Sequence, residues 1–396
     1  PSATSVAPRA YSRGMTDPPT DLPDPRLDRP IVGVVGAGIM GSGVAQLALE
    51  AGHEVILHDV DAAALDRGRR RVADGLARRA ARAQTESSGA DAWVAEQLAR
   101  LRSTEALGQL GEESDVVIEA ALESLDLKRA IFRTLDAAAP AEIILATNTS
   151  ALSVARIAEA TRRPERVVGL HFFNPAPLMR LVEVIAASAT AEPVVEAAAG
   201  LVRSWGRTAV RSADSPGFIV NRVNRPFTLR ALRLLEAGTA SIDEIDAAIR
   251  EAGFPLGPFE LMDLTGIDVT FAASTAIWDG LGRPERLRPS PLQEELIAAG
   301  RLGRKAGHGF HRYEDGKRVA GSASGAPAAP GLPAEAIRER ILLPIVDEAY
   351  RALDEGVATR ADIDIALRLG AAHPVGPFER VADAGGAGAV AGRLRE

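Results

Sequence analysis

Apolar residues along the first half of the chain fall in short unbroken runs. "IVGVV" at 31–35, "EVILHD" ending at 59, the opening of 115–135, 142–147, "RVVGLHFF" and "LMRLVEVIAA" are too short for buried helices. Each suits a strand covered on both faces. Between them, 42–51, 62–83, 84–100 around Trp93 and the second part of 115–135 carry helical patterning. Strand alternating with helix predicts an α/β domain built on a parallel sheet, spanning 30–213. At Pro216 and Gly217 the pattern changes. Residues 218–237 read as one long helix, "SIDEIDAAIREAG" as a shorter one with Ser241 as its cap, and "FPLGPFELMDLTG" follows.

The second half repeats itself. "GPFE" at 257–260 returns at 376–379, 119 residues later, and "EIDAAI" returns as "DIDIAL". A helical unit at 214–318 is therefore expected again, in part, at 334–396, with "VAGSASGAPAAPGLP" at 319–333 as a flexible linker. The second copy lacks "PGFIVNR" and any preceding glycine-rich turn, so one site per chain is expected. Residues 1–29, rich in Pro, Asp and Arg, read as a disordered tail.

The first strand runs into Gly36, Gly38 and Gly41, a G-x-G-x-x-G turn ahead of a helix, and the second strand ends at Asp59. This order has a physical purpose. Gly36 permits a tight turn, Gly38 lets the backbone approach a pyrophosphate, and Gly41 lets helix pack on strand. Ile39 and Met40 then sit at a helix N-terminus whose free N–H groups suit phosphates. Asp59 can accept hydrogen bonds from an adenosine ribose. The fold expected is a Rossmann-type dinucleotide-binding domain followed by an all-α domain present in two copies. A carboxylate at 59 would repel a 2'-phosphate, and no arginine follows in "HDVDAAA", so NAD is expected over NADP.

Bulk properties narrow the chemistry. With 396 residues, 46% hydrophobic, the chain can bury a sizeable core. A net charge of -7 discourages nucleic-acid binding. The absence of cysteine excludes disulfides, thiolate nucleophiles and cysteine-containing zinc sites. No metal site is expected, and no apolar run approaches the roughly 20 residues of a membrane span. A cytoplasmic enzyme is the default. The segment "AAALDRGRRRVADGLARRAARA" at 62–83 is strongly basic, either a solvated face or a patch for an anionic substrate.

Within "GLHFFNPAPLMRLVEV", His171 ends one strand and Glu183 lies twelve residues on in the next. A lone histidine is usually surface polarity. Here it falls at the C-terminal edge of a parallel sheet, where a nicotinamide would lie. A carboxylate beside it would fix one ring nitrogen as N–H and leave the other to take a hydroxyl proton, as alcohol oxidation requires. In "NTSAL", Thr149 and Ser150 are either caps for the next helix or hydroxyls at that ligand-binding edge.

These segments together resemble the 3-hydroxyacyl-CoA dehydrogenase family, most nearly its bacterial 3-hydroxybutyryl-CoA branch. The motifs are "GAGIMGSGVAQ", "NTSAL", "GLHFFNPAPLMRLVEV", "DSPGFIVNR", "GFPLGPFELMDLTG" and "GRKAGHGF", spread over about 30–318. The resemblance implies reversible oxidation of a (3S)-3-hydroxyacyl-CoA to the 3-oxo thioester with NAD. His171 would be the base and Glu183 its partner, with Ser150 on the reacting oxygen and Asn221 across the cleft. It also implies that Glu123, Lys128 and Asn174 lie at the nicotinamide end and that Lys305 reaches the cofactor from its loop. Where the family has a serine and a lysine for CoA, this chain has Gly75 and Arg82; an arginine can hold a phosphate as well as lysine does. By residue reading alone, Asn221 can instead start a helix and Lys305 can be a solvent lysine. Single-copy members cover the helical face with a second subunit, so the fused copy favours a monomer, with a homodimer as the alternative. Dehydrogenase activity without a hydratase is expected. Three rivals stand beside this reading. One is a dehydrogenase for a free hydroxy or sugar acid, anchored by Arg180 turned inward. Another is a 3-hydroxyadipyl-CoA dehydrogenase, and the last is a catalytically silent NAD-binding scaffold.

Overall fold

The computed structural model describes residues 29–82, 87–323 and 331–393. The expected tail ahead of Arg29 and positions 324–330 of the expected linker lie outside the described residues. Eight strands form one sheet: β1 Val32–Val35, β2 Val55–His58, β3 Leu101–Thr104, β4 Val116–Glu119, β5 Ile144–Thr147, β6 Val167–Phe172, β7 Leu181–Ala186 and β8 Thr208–Ala213. Their order is β3-β2-β1-β4-β5-β6-β7-β8. Neighbours run parallel except β6 and β7, which are antiparallel. Because β1 lies between β2 and β4, the chain leaves it in opposite directions on either side, which opens a crevice over its C-terminal end.

The central strands β1, β2, β4 and β5 are buried throughout, and this is why they read as unbroken apolar runs. The edge strands β3, "LRST", and β8, "TAVRSA", give no such signal, because exposed polar residues interrupt them. The helix Glu192–Ser204 over β7 and β8 is likewise unannounced. The helix after the glycine turn starts at Ile39, three residues earlier than its pattern suggests.

Residues 218–237 are not one helix. Val220–Val223 and Arg225–Glu236 meet at Asn224, and Pro226, lacking an N–H, cannot bond back to Arg222. Helices Ile242–Glu251, Pro258–Thr265, Ile267–Gly280 and Pro291–Ala298 follow, then a short ribbon pairing Tyr313–Glu314 with Lys317–Arg318. Helices Ala334–Asp354, Arg360–Gly370, Pro377–Asp383 and Ala387–Arg393 complete the described chain. One apolar core joins both halves of this region, with Phe227, Ile245 and Phe259 packed in the same cluster as Ile345, Ile363 and Phe378. Fully buried Arg222 bonds to Glu348 Oε1 (3.0 Å) and to both oxygens of Glu355 (2.7 and 2.8 Å). The segment beyond the linker is thus docked on the first helices.

One local arrangement occurs twice. Asp246 Oδ1 accepts from Phe259 N (3.0 Å), and Asp364 Oδ1 accepts from Phe378 N (2.8 Å). Glu260 accepts from Gly257 N and pairs with Arg250; Glu379 accepts from Gly376 N and pairs with Arg368. Ser241 and Glu244 form a capping box on Ile242–Glu251, and Thr359 caps Arg360–Gly370 through Asp362 N.

Candidate active site

His171 and Glu183 are register partners in the antiparallel β6–β7 pair. His171 Nδ1 lies 2.6 Å from Glu183 Oε2. The other oxygen, Oε1, accepts from the backbone N–H groups of Ile219 (3.0 Å) and Val220 (2.9 Å) at the start of the helical region. With all its contacts accepting, the carboxylate makes Nδ1 the donor and leaves Nε2 with a lone pair. Ser150 Oγ sits 3.1 Å from that nitrogen. The rings of Phe173 and Phe218 flank the imidazole at 4.5 and 5.8 Å between centroids, giving it apolar walls.

The two hydroxyls of "NTS" divide the work. Thr149 is buried; it donates to Glu123 Oε1 (2.5 Å) and accepts from Leu152 N (2.9 Å), which organises the turn. The following helix, Val154–Ala158, is capped by Ser153 and not by either of them. Ser150 is exposed, with its hydroxyl free to face His171. Asn221 Nδ2 approaches the Ser150 carbonyl at 3.4 Å, so its amide spans the cleft instead of capping its own helix.

On the nucleotide side, Gly36 has φ +99, and a Cβ there would lie 2.7 Å from Ala120 O. A Cβ on Gly41 would strike Gly36 O at 1.8 Å. Gly38 has no neighbour within 4 Å of that position. Two glycines are thus demanded by the protein's own packing, while the third keeps space open at the N-terminus of the helix Ile39–Glu50, where a pyrophosphate fits. Asp59 Oδ2 accepts from Ala37 N (2.9 Å), which sets the carboxylate at the lip of the turn. Ile39 is largely exposed and Met40 partly so. The basic helix Ala62–Arg82 contributes Arg71, Arg78, Arg79 and Arg82 to a pocket of about 290 Å³, whose other walls are the helix Ile39–Glu50, with Glu50 among its lining residues, and Pro175–Leu178.

Comparison with known proteins agrees with this geometry. A sequence model described as "3-hydroxyacyl-CoA dehydrogenase, NAD binding domain" matches residues 31–215, and its partner, "3-hydroxyacyl-CoA dehydrogenase, C-terminal domain", matches 217–313 and 337–393. The chain belongs to the 3-hydroxyacyl-CoA dehydrogenase family. Its nucleotide is NAD. The 3-hydroxyadipyl-CoA dehydrogenase of Escherichia coli K12 is 36% identical over 88% of this chain and 89% of its own. A crystal structure of 3-hydroxybutyryl-CoA dehydrogenase from Escherichia coli K12 superposes with TM-score 0.80 at 34% identity, covering 89% of this chain and 91% of that one. The (S)-3-hydroxybutyryl-CoA dehydrogenase from Ralstonia eutropha gives TM-score 0.69 at 36% identity, covering 72% of this chain and 99% of that one.

The residues that the family pattern singles out differ in their surroundings. Lys128 has no exposed surface; its ammonium donates to both oxygens of Glu119 (2.8 and 2.9 Å) and stands 3.5 Å from Glu123. It braces the wall from behind, since a buried charge must spend its bonds on partners inside. Lys305 pairs with Asp268 at 2.6 Å and is held to the helical region. Asn174 is exposed beside Phe173. A Cβ at Gly75 would lie 2.0 Å from Gln46 Oε1, so a serine there would require the Gln46 side chain to move. Arg180 is exposed and precedes β7 in alternate register to Glu183, which turns it away from His171. Sequence reading passed over Glu119, Thr147 and Asn148. Thr147 Oγ1 donates to Glu119 (2.7 Å), and Asn148 Oδ1 accepts from Phe172 N (2.9 Å), locking β5 to its neighbours. Their polarity at strand ends was the available signal. Among the described residues, no group of side chains suits a metal ion, and no helix is long and apolar enough to cross a membrane.

Proposed function

We propose that this chain oxidises 3-hydroxyacyl-CoA thioesters reversibly to 3-oxoacyl-CoA, with a 3-hydroxybutyryl-type thioester as the basic substrate. The observation that carries the reading is the His171 imidazole, tied at Nδ1 to Glu183 and open at Nε2 beside Ser150, on the sheet edge that the glycine turn faces. Bound NAD, held by the Gly36–Gly41 turn, Asp59 and Glu123, supplies the acceptor for the hydride leaving C3. Nε2 of His171 takes the C3 hydroxyl proton. Glu183 compensates the imidazolium as it forms, and in reduction the same imidazolium gives the proton back. Ser150 and Asn221 hold the reacting oxygen and the thioester end, while Phe173 and Phe218 keep water off the imidazole. The arginine pocket takes the phosphates of CoA, which a guanidinium fork suits.

The extra length relative to single-copy relatives supports the view that residues 334–396 are a second copy of the helical unit 214–318, joined by 319–333. The repeated Asp–Phe and Glu–Gly hydrogen bonds favour it. In this reading the fused copy supplies a partner's surface, and the chain is a monomer in the cytoplasm, where NAD and acyl-CoA thioesters meet. The inward-facing His171 and outward Arg180 favour a thioester over a free hydroxy acid. NADH oxidation measured across acetoacetyl-CoA, longer 3-oxoacyl-CoA thioesters and free acetoacetate tests the whole reading. Turnover confined to the free acid would reject it.

A further inference from the structure

Asn221 and Phe173 line a second cavity of about 320 Å³, which shares no lining residue with the arginine pocket. Its walls come from the first helical segment (Asn224, Arg225, Thr228), from Phe254 and Leu256, and from Gly370–Ala372 beyond the linker. Phe173, whose ring lies 4.5 Å from that of His171 between centroids, is among the lining residues, so the cavity adjoins the reacting centre. A thioester with its nucleotide in the arginine pocket and C3 at His171 would send its acyl tail here.

A cavity for a plain alkyl tail has no use for a charge. Arg225 is the single charged residue lining this one among the described residues, and it is 8% exposed. No carboxylate pairs with it among the described residues. Its guanidinium makes one long hydrogen bond, Nη1 to Ser274 Oγ at 3.4 Å, and its Nε has no partner. Burial without a counter-charge pulls its pKa down to about 10, which still leaves it cationic near neutrality. Arg222, three residues earlier and also buried, is by contrast saturated by Glu348 and Glu355. An unpaired buried guanidinium is costly, and an arriving anion would remove that cost. Asn224 adds to the site: its Oδ1 is bound by His373 Nε2 (2.8 Å), while its amide nitrogen makes no hydrogen bond among the described residues.

We propose that Arg225 is a specificity-determining residue that binds a carboxylate at the distal end of the acyl chain, so that the preferred substrate is a 3-hydroxyacyl-CoA derived from a dicarboxylic acid. Asn221 and Arg225 line the same cavity, so an acyl chain held at the reacting centre can extend towards the guanidinium. The proposal rests on the acyl-CoA reading above and changes only the preferred acyl chain, a dicarboxylic one in place of the butyryl type.

The test compares two 3-oxoacyl-CoA thioesters of equal length, 3-oxoadipyl-CoA and 3-oxohexanoyl-CoA, with full-length protein and NADH. The wild-type kcat/KM should favour the dicarboxylic thioester by at least about tenfold. Arg225→Met should lower it for 3-oxoadipyl-CoA by about 10²-fold, the scale for leaving a buried charge unmatched, and change it less than about threefold for 3-oxohexanoyl-CoA. Arg225→Lys should keep part of the preference. The wild-type ratio does not depend on whether any variant folds, and 3-oxohexanoyl-CoA turnover reports on the fold of each variant. Equal wild-type efficiencies, or equal losses on both thioesters in Arg225→Met, would overturn the assignment and leave the dehydrogenase reading standing. No turnover of either thioester would overturn both.

Discussion

Glu183 stands directly across the β6–β7 ladder from His171, and the antiparallel register puts its Oε2 2.6 Å from Nδ1. The same carboxylate holds the backbone of Ile219 and Val220, so one residue orients the base and fastens the helical region to the sheet.

His171→Ala should keep cofactor affinity and lose about 10²–10⁴-fold in kcat, the usual scale for a positioned proton-transfer group. Glu183→Gln should lower kcat as well, since the amide keeps an oxygen for the backbone N–H groups but carries no charge to balance the imidazolium. NADH oxidation with acetoacetyl-CoA, alongside a cofactor titration, measures both. A near-wild-type His171→Ala enzyme removes the mechanism.

Asp59 should make NADH much the better cofactor than NADPH. Its Oδ2 is committed to Ala37 N, which fixes the carboxylate where a 2'-phosphate would lie. The ratio of kcat/KM with the two reduced cofactors decides the matter, and equal values would contradict it.

The arginine pocket should act through binding alone. Arg78→Ala or Arg82→Ala should raise KM for a CoA thioester by about two- to fivefold each, less at high salt, with kcat unchanged. A pantetheine thioester, which lacks the nucleotide phosphates, should show no change in either variant. A loss of kcat, or an equal effect on the pantetheine thioester, would place CoA elsewhere.

Removal of residues 325–396 should strip Glu348 and Glu355 from Arg222 and uncover Phe227 and Phe254, which pack towards the last helices. An exposed apolar face and an unpaired buried charge both favour association. Full-length protein is expected to sediment as a monomer and the truncated form to self-associate or precipitate. A soluble, fully active truncated monomer in sedimentation velocity would show that the last helices cover nothing essential.

Much of the fold could be read from residue order. The glycine turn, the acid at 59 and the apolar runs of β1, β2, β4 and β5 depend on neighbours within a few residues, and full burial makes the strand pattern unambiguous. Edge strands β3 and β8 were silent because one side of each meets solvent. The sequence also offered His171 with Glu183 and Ser150, since a polar residue at the end of an apolar strand stands out.

Local sequence by itself determined the nucleotide turn, the α/β order and the repeated "GPFE" unit, because each is a short-range pattern with its own backbone demands. Only the tertiary structure decided that Thr149 ties the turn to Glu123 while Ser150 faces His171, that Lys128 is spent on Glu119, and that Arg222 is neutralised while Arg225 is not. Those outcomes turn on what stands opposite a side chain. Glu348 lies 126 residues from the arginine it serves, and no spacing along the chain reports a partner that only folding brings near.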